Sequence, residues 1–188
     1  MFFVDGPGGT GKTYLFNTIA RKTELLGFNS VMTVYTGIAA SLLVKAKTCH
    51  KTFGLPTSLD EAAGSTISLQ SAPAEVFRQA NLIIIDEVSM LSRLQLNVIY
   101  ILLSALSSTR DQPLGGCIIV FSGDFRQTLS TPRRLADRIQ VVENTILQHP
   151  LWKHVRHFSQ LDIVRAPELG RDISCDLLGS HFAYFAAS

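Results

Sequence analysis

A glycine-rich run near the start of the chain constrains the fold more than any other feature. It fits the pattern G-x-x-x-x-G-K-[ST] and consists of Gly6, Pro7, Gly8, Gly9, Thr10, Gly11, Lys12 and Thr13. The apolar residues before it predict a buried strand, and residues 11–26 predict a helix whose inward face carries Leu15, Ile19 and Leu25 or Leu26. Such a loop points backbone N–H groups and the positive end of a helix at phosphate oxygens, so the run predicts a phosphate-binding loop.

Two side chains at the end of this loop carry the predicted chemistry. Lys12 is expected to reach the β- and γ-phosphates of a nucleotide, and Thr13 is expected to place its hydroxyl on Mg²⁺. The alternative is a glycine-rich turn followed by a surface lysine. The strand before the loop and the helix after it favour the phosphate-binding interpretation.

Strand and helix patterns alternate along the rest of the chain. The predicted strands span residues 2–5, 30–35, 82–86, 117–121 and 155–161, and the predicted helices span residues 11–26, 38–46 and 91–106. Residues 56–73 are predicted to be a loop, and the core stripe of the last helix is predicted to be Leu94, Val98, Ile101, Leu102 and Ala105. Strands separated by helices indicate the α/β class, with a parallel sheet covered by helices on both faces.

Composition excludes several classes of protein. With 188 residues, 46% of them hydrophobic, the chain is long and apolar enough for one compact domain and is not a disordered protein. Lys+Arg number 17 and Asp+Glu number 15, so any contact with nucleic acid must come from local basic patches. The three cysteines, Cys49, Cys117 and Cys175, are widely spaced, which predicts reduced thiols in an intracellular protein, without a disulfide framework or a zinc site. No apolar stretch is long enough to suggest a membrane partner or a signal peptide.

An acidic pair follows the most apolar predicted strand. Asp86 is expected to hold Mg²⁺ through water, and Glu87 is expected to orient or deprotonate the attacking water, because ligands bind at the carboxyl edge of an open parallel sheet. A polar string, residues 123–127, follows the next predicted strand. Its Gln127 amide is expected to sense the γ-phosphate, and Asp124 and Arg126 are expected to pair. The alternatives are an exposed acidic turn and a polar turn.

Four motifs together resemble one known family. They are residues 6–14, residues 36–40 continued by 48–50 and 53–56, residues 84–90, and residues 123–127 with Leu129; Leu151 and Trp152, on the approach to Arg165, resemble a further motif. In these stretches the chain resembles the Pif family (petite integration frequency) of superfamily-one DNA helicases, which is related to RecD and to the helicase part of Helitron transposons.

The resemblance implies an ATP-dependent DNA helicase. It implies that residues 1–166 form a RecA-like first motor domain of the P-loop NTPase class, with residues 167–188 an unassigned tail. It also implies ATP and Mg²⁺ as cofactors, single-stranded DNA and DNA forks as partners, 5′-to-3′ translocation, and roles in DNA repair, recombination and telomere maintenance in the nucleus. The implied ATP site comprises Lys12, Thr13, Asp86, Glu87 and Gln127, with Arg165 contacting the γ-phosphate.

Some positions depart from the family pattern. Ser130 stands where the family usually has proline, and Ile163-Val164-Arg165 stands where it has Asn-Met-Arg, which weakens the role of Arg165. The family's adenine-recognising segment and its second motor domain are expected to be absent. We therefore expect this chain alone to bind nucleotide weakly, to hydrolyse it very slowly and not to unwind DNA. The oligomeric state stays open.

The residues after the second predicted strand form a basic cluster. Lys45, Lys47, His50 and Lys51 lie close together in sequence, with Phe53 just beyond them. Taken alone, these residues favour a solvated basic loop next to a core phenylalanine. With the family resemblance, they favour a path for single-stranded DNA, with Phe53 stacked on a base. The predicted DNA-binding residues are Thr36, Gly37, Lys47, Thr48, His50 and Phe53.

Two competing functions stay open at this stage. One is a truncated, catalytically incomplete module that binds nucleotide or DNA, or a transposon-derived relic. The other is a different phosphate-loop NTPase, such as a kinase or a GTPase. The sequence has no Asn-Lys-x-Asp motif for reading guanine, and a small-molecule kinase has no need of residues 123–127. Hydrolysis of ATP in the presence of single-stranded DNA distinguishes the helicase motor from the incomplete module.

Overall fold

The computed structural model describes residues 1–58, 60, 62–107, 116–127 and 145–159. Within these residues, six parallel strands form one sheet in the order β3-β2-β4-β5-β1-β6. The strands are β1 (Phe2–Asp5), β2 (Asn29–Val34), β3 (Lys47–Thr48), β4 (Ala80–Asp86), β5 (Ile118–Gly123) and β6 (Arg156–Ser159). The predicted parallel sheet of the α/β class is confirmed.

Helices cover both faces of this sheet. They are α1 (Lys12–Leu25), α2 (Gly37–Ala40), α3 (Cys49–Phe53), α4 (Ala72–Arg78) and α5 (Arg93–Leu106), with short 3-10 helices over Val88–Met90, Ile146–Gln148 and Pro150–His154. The core under α1 includes Phe16, Ile19, Val4, Val34 and Ile84. The core on the opposite face includes side chains from α3, α4 and α5 packed on Phe3, Ile83, Ile85 and Phe121. Strand β4 is buried on both sides, as its aliphatic run predicts.

The inward face of α1 differs from the prediction. Its buried residues are Phe16, Ile19, Ala20 and Thr23, whereas Leu25 is 87% exposed and Leu26 is 54% exposed. Leu25 lies nine positions after Phe16, and at about 100° per residue this places it on the opposite side of the helix. The choice of Leu25 or Leu26 as core residues is therefore wrong.

Three other local predictions also need correction. The helix predicted over residues 38–46 is only one turn long, because α2 ends at Ala40 and Lys45 adopts a left-handed backbone conformation with φ 58°. Helix α4 was not predicted. In α5, Ile101 is 49% exposed and Ala105 is also exposed; the buried stripe is Leu96, Val98, Ile99, Leu102, Leu103 and Leu106. The stripe is thus rotated from the predicted one.

Two cysteines fall within the described residues, and both are free thiols. Burial raises the pKa of each, Cys49 and Cys117, to about 12, so neither forms a reactive thiolate near neutral pH. Cys175 lies outside the described residues. Among the helices of the described part of the chain, none is both long and apolar enough to cross a membrane.

Candidate functional site

Three loops meet at the carboxyl edge of the sheet because β4, β5 and β1 are neighbours in it. The glycine loop follows β1, Glu87 follows β4, and Asp124 follows β5. Parallel strands end at the same edge, so residues separated by more than a hundred positions in sequence become neighbours here. The topology thus brings the predicted phosphate loop, acidic pair and polar string into one site.

The glycine loop curls around the ammonium of Lys12. Gly9 and Gly11 have φ values of 78° and 86°, in the left-handed region that favours glycine. The Nζ of Lys12 donates hydrogen bonds to the carbonyl oxygens of Gly6 and Pro7, the latter at 2.8 Å. Thr10 Oγ1 also donates to the Pro7 carbonyl, at 2.9 Å. The loop therefore places a positive charge at its centre, directly before α1, in the arrangement expected of a phosphate cradle.

The acidic pair is held by its own backbone and by Thr36, which follows β2. Asp86 is buried, and its Oδ1 accepts a hydrogen bond from the Glu87 N–H at 2.8 Å. Glu87 has a left-handed backbone, with φ 57° and ψ 33°, which is uncommon for a residue with a side chain. Its Oε2 accepts hydrogen bonds from Thr36 N at 3.0 Å and from Thr36 Oγ1 at 2.7 Å. The Asp86 carboxylate is thus held by the adjacent backbone, and the Glu87 carboxylate is held by Thr36.

The first residue of the polar string, Gly123, packs so closely on a neighbouring turn that it leaves little room for a side chain. A Cβ at Gly123 would lie 3.1 Å from the backbone N of Ser89 and 3.3 Å from that of Val88. The end of β5 is thus packed directly on the turn that follows Glu87. Phe125 then points back to the core, with its ring 5.4 Å from that of Phe3 and 5.8 Å from that of Trp152. These contacts fix the string against the acidic pair.

The charged residues of the string pair as predicted. Arg126 Nε donates to Asp124 Oδ1 at 2.8 Å, and Arg126 Nη2 lies 3.4 Å from Asp5 Oδ1. The hydrogen bond from the Arg126 side chain holds the pKa of Asp124 below its ordinary value. Because Asp5 is the residue before Gly6, the pair also links the string to the phosphate loop.

Gln127 extends from this string toward the phosphate loop. A Cβ built on Gly8 would lie 3.6 Å from Gln127 Nε2, so the amide lies beside the loop, on the side to which a Gly8 side chain would point. Gln127 is exposed to solvent. Lys12 also acts electrostatically on Asp124. The structure therefore brings Lys12, Gln127 and the acidic pair to one edge.

Four of the predicted DNA-binding residues lie at or near the surface around the start of α2 and α3. Gly37, Lys47 and His50 are exposed, and Thr48 caps α3 by accepting a hydrogen bond from Lys51 N at 3.4 Å. His50 also lies against the fold, with its Nε2 3.3 Å from Gln95 Nε2.

One of the predictions for this segment is corrected. Phe53 is fully buried, and its ring stacks on Phe77 with centroids 5.3 Å apart, so no face is open for a base. The two donors of Thr36, a predicted DNA-binding residue, both bond to Glu87 Oε2. Lys45, part of the predicted basic cluster, pairs with Glu24 at 2.8 Å.

One site residue and one site contact were missed by sequence reasoning. The missed residue is Asp5, whose position directly before the phosphate loop is a signal that could have found it. The missed contact is that of Thr36 with Glu87, for which no local signal exists because 51 positions separate the two residues. Arg165, Leu129, Ser130, Ile163, Val164 and residues 167–188 lie outside the described residues.

Metal binding has no self-contained site in the described residues, where no group of three or more His, Cys, Asp or Glu side chains is arranged to hold an ion. Thr13 and Asp86 offer hard oxygen donors of the type that Mg²⁺ prefers. Magnesium usually keeps several waters and takes further ligands from nucleotide phosphates. The donor set therefore fits a metal that arrives with a nucleotide.

Comparison with known proteins gives consistent matches. A sequence model described as PIF1-like helicase matches residues 1–172. The chain is 33% identical over 125 residues to ATP-dependent DNA helicase PIF3 of Trypanosoma brucei brucei, a match that covers 66% of this chain and 14% of that protein. It is 32% identical over 127 residues to ATP-dependent DNA helicase Pif1 of a Psychrobacter species, covering 66% of this chain and 19% of that protein.

A solved structure of a Bacteroides Pif1 helicase in complex with ADP-AlF3 and single-stranded DNA superimposes with a TM-score of 0.65 at 25% identity. The match covers 85% of this chain and 37% of that one. The chain therefore corresponds to a minor part of the length of each relative.

Proposed function

The chain belongs to the PIF1-like helicase family, and from that membership we propose that residues 1–166 form the RecA-like, ATP-binding first motor domain of a DNA helicase. The arrangement that carries the proposal is the convergence of Lys12, Glu87 and Gln127, from three separate loops, at one sheet edge. The names of the relatives, which are ATP-dependent DNA helicases, support ATP as the nucleotide.

Each residue has a distinct role in the proposed site. The backbone N–H groups of residues 6–13 and the Lys12 ammonium bind the β- and γ-phosphates, and Gln127 contacts the γ-phosphate. Thr13 and Asp86 hold Mg²⁺, which neutralises developing charge on the phosphates when it is bound. Glu87 orients the attacking water and accepts its proton. Arg165 contacts the γ-phosphate in the same proposal.

Single-stranded DNA is proposed to run past the start of α2 and α3. The proposed contact set keeps exposed Gly37, Lys47 and His50 and half-buried Thr48, with exposed Lys51 beside them. The single-stranded DNA in the Bacteroides Pif1 complex supports this partner. Translocation from 5′ to 3′, action at forks, roles in DNA repair, recombination and telomere maintenance, and a nuclear location rest on the family resemblance alone.

The proposal is tested by ATP hydrolysis of the purified chain with and without an oligo(dT) strand. A single-turnover assay with radiolabelled ATP and excess protein detects slow hydrolysis. We expect phosphate release that rises on addition of the oligonucleotide and that is abolished by Lys12→Ala. Binding of ATP and DNA without phosphate release would instead support the incomplete binding module. No binding of either ligand would contradict the proposal.

A further inference from the structure

Glu87 and Thr36 are brought together by the register of two neighbouring strands. Strands β2 and β4 pair in parallel with Val34 opposite Asp86. Glu87 is the residue after Asp86, and Thr36 is two residues after Val34, so both lie just beyond the strand ends. Their contact therefore depends on the central pairing of the sheet rather than on a flexible surface loop.

The contact consists of two hydrogen bonds to a single carboxylate oxygen. Thr36 N and Thr36 Oγ1 both donate to Glu87 Oε2, at 3.0 Å and 2.7 Å. The hydroxyl also accepts a weak hydrogen bond from Ala39 N at 3.5 Å as the N-cap of α2. Hydrogen bonds to a carboxylate are stronger than those between neutral groups, so this pair fixes the side-chain direction of Glu87.

The backbone of Glu87 is fixed independently of this contact. Its left-handed conformation is held by its N–H, which donates to Asp86 Oδ1 at 2.8 Å, and by its carbonyl, which accepts from Met90 N at 3.0 Å. A residue with a side chain keeps such a conformation only where its surroundings enforce it, and such residues are frequent at functional sites. Backbone and side chain are thus each constrained, by different partners.

The second carboxylate oxygen of Glu87, Oε1, is available to accept a proton. Among the described residues, no donor is bonded to Glu87 Oε1, whereas Oε2 takes both hydrogen bonds from Thr36. A general base needs an oxygen with free lone pairs, and a third group commonly orients such a base. We infer that Thr36 is a positioning residue that orients the carboxylate of Glu87 for water activation. This inference rests on the proposed function and refines it.

The assignment also links two parts of the proposed motor. Thr36 is the N-cap of α2, which lies in the segment proposed to contact DNA. Its hydroxyl donates a hydrogen bond to Glu87, the proposed general base. A displacement of α2 moves the hydrogen-bond partner of Glu87 with it. The segment therefore acts on hydrolysis through a direct contact, without any need for Thr36 to touch DNA.

The test replaces the hydroxyl of Thr36 and separates the rate of hydrolysis from ATP binding. Thr36→Val keeps the volume and the backbone N–H but removes the Oγ1 donor. In single-turnover hydrolysis at varied ATP concentration, we expect the rate constant to fall about tenfold or more, as for loss of one hydrogen bond to a charged group. The half-saturating ATP concentration should stay within about twofold, because the substituted group acts on the transition state only.

Two further variants separate orientation from packing. Thr36→Ser retains a hydroxyl and should keep the rate within about threefold of the parent. Thr36→Ala removes the hydroxyl without adding a second methyl group and should repeat the loss seen with Thr36→Val. Ser71→Ala removes the side-chain N-cap of α4, which accepts from Ala74 N at 3.4 Å, and should leave the rate unchanged.

The outcomes distinguish this inference from the proposed function. Hydrolysis by the parent chain at the level of Lys12→Ala would contradict the proposed function, and the inference with it. Measurable parent hydrolysis that Thr36→Val and Thr36→Ala leave unchanged or accelerate would overturn the inference alone. A loss with Thr36→Ser equal to that with Thr36→Val would also overturn it, because the hydroxyl would then not be the active group.

Discussion

The phosphate-loop region, residues 6–13 and 123–127, and the 36–53 segment lie at the same edge of the sheet but differ in how well their motifs predicted their geometry. In the first region, the Asp124–Arg126 pair forms as predicted, and both Lys12 and Gln127 lie at the phosphate loop. In the second, Phe53 is buried in the core, Thr36 bonds to Glu87, and Lys45 pairs with Glu24.

The difference has a physical basis. A phosphate loop acts mainly through its backbone, and its conformation is set by local glycines and by the strand and helix on either side. The 36–53 segment was assigned through side chains on two helices of four and five residues. Side-chain direction on such short helices is set by whatever packs against them. A motif thus predicts backbone function better than it predicts which side chains face a ligand.

The largest expected effect concerns Phe53. If its ring is a core element stacked on Phe77, Phe53→Ala should lower the free energy of unfolding by about 3–5 kcal/mol, as for other buried phenylalanines. Urea unfolding followed by circular dichroism measures this. Ile38→Ala, at an 85% exposed position in the same segment, is the control and should change stability by less than about 0.5 kcal/mol. A stable Phe53→Ala variant that loses binding to single-stranded DNA would restore the base-stacking role.

The next effect concerns Glu87, which lies between the two regions. Glu87→Gln should keep ATP binding and slow hydrolysis about 10²-fold or more, because the amide cannot accept a proton from water. Calorimetry and single-turnover hydrolysis measure the two quantities. Glu75→Gln, a surface position that pairs with Arg78, is the control and should behave as the parent. Hydrolysis by Glu87→Gln near the parent rate would exclude Glu87 as the base.

A smaller effect is expected at Lys12. Its ammonium is the charge at the centre of the phosphate loop, so Lys12→Ala should weaken ATP binding at least about tenfold, or about 1.4 kcal/mol. Lys22→Ala, an exposed position in the last turn of α1, should bind ATP as the parent does. Equal ATP affinity of Lys12→Ala and the parent by calorimetry would show that the loop does not act as a phosphate site.

The smallest effect separates the lysines of the 36–53 segment from one another. Lys47 in β3 and Lys51 in α3 are exposed, whereas Lys45 pairs with Glu24. Replacing Lys47 or Lys51 with alanine should reduce the slope of log affinity for single-stranded DNA against log salt by about 0.7 each. Lys45→Ala should change this slope less. Fluorescence titration at several salt concentrations measures the slopes. If every variant has the same slope as the parent, these lysines do not contact DNA and belong to a solvated loop.

The sequence by itself determined the class of fold and the local elements of the site. The glycine pattern before a helix, the aliphatic run of β4 and the polar residues after each strand all depend on short-range periodicity, which is readable without the fold. These patterns predicted β1, β4, β5 and the position of the phosphate loop closely. They were less reliable for the buried faces of α1 and α5, because a helix with leucines on several sides offers more than one apolar stripe.

Only the tertiary structure decided which of these elements became neighbours. The strand order places β4, β5 and β1 side by side, and the β2–β4 register places Thr36 against Glu87 across 51 positions of sequence. Short-range patterns contain no information about such a register, because it is set by the packing of both sheet faces at once. The same packing turned Phe53 into the core. The chemical type of each site residue could therefore be predicted from the sequence, whereas the residue that it contacts depends on the strand order and register of the sheet.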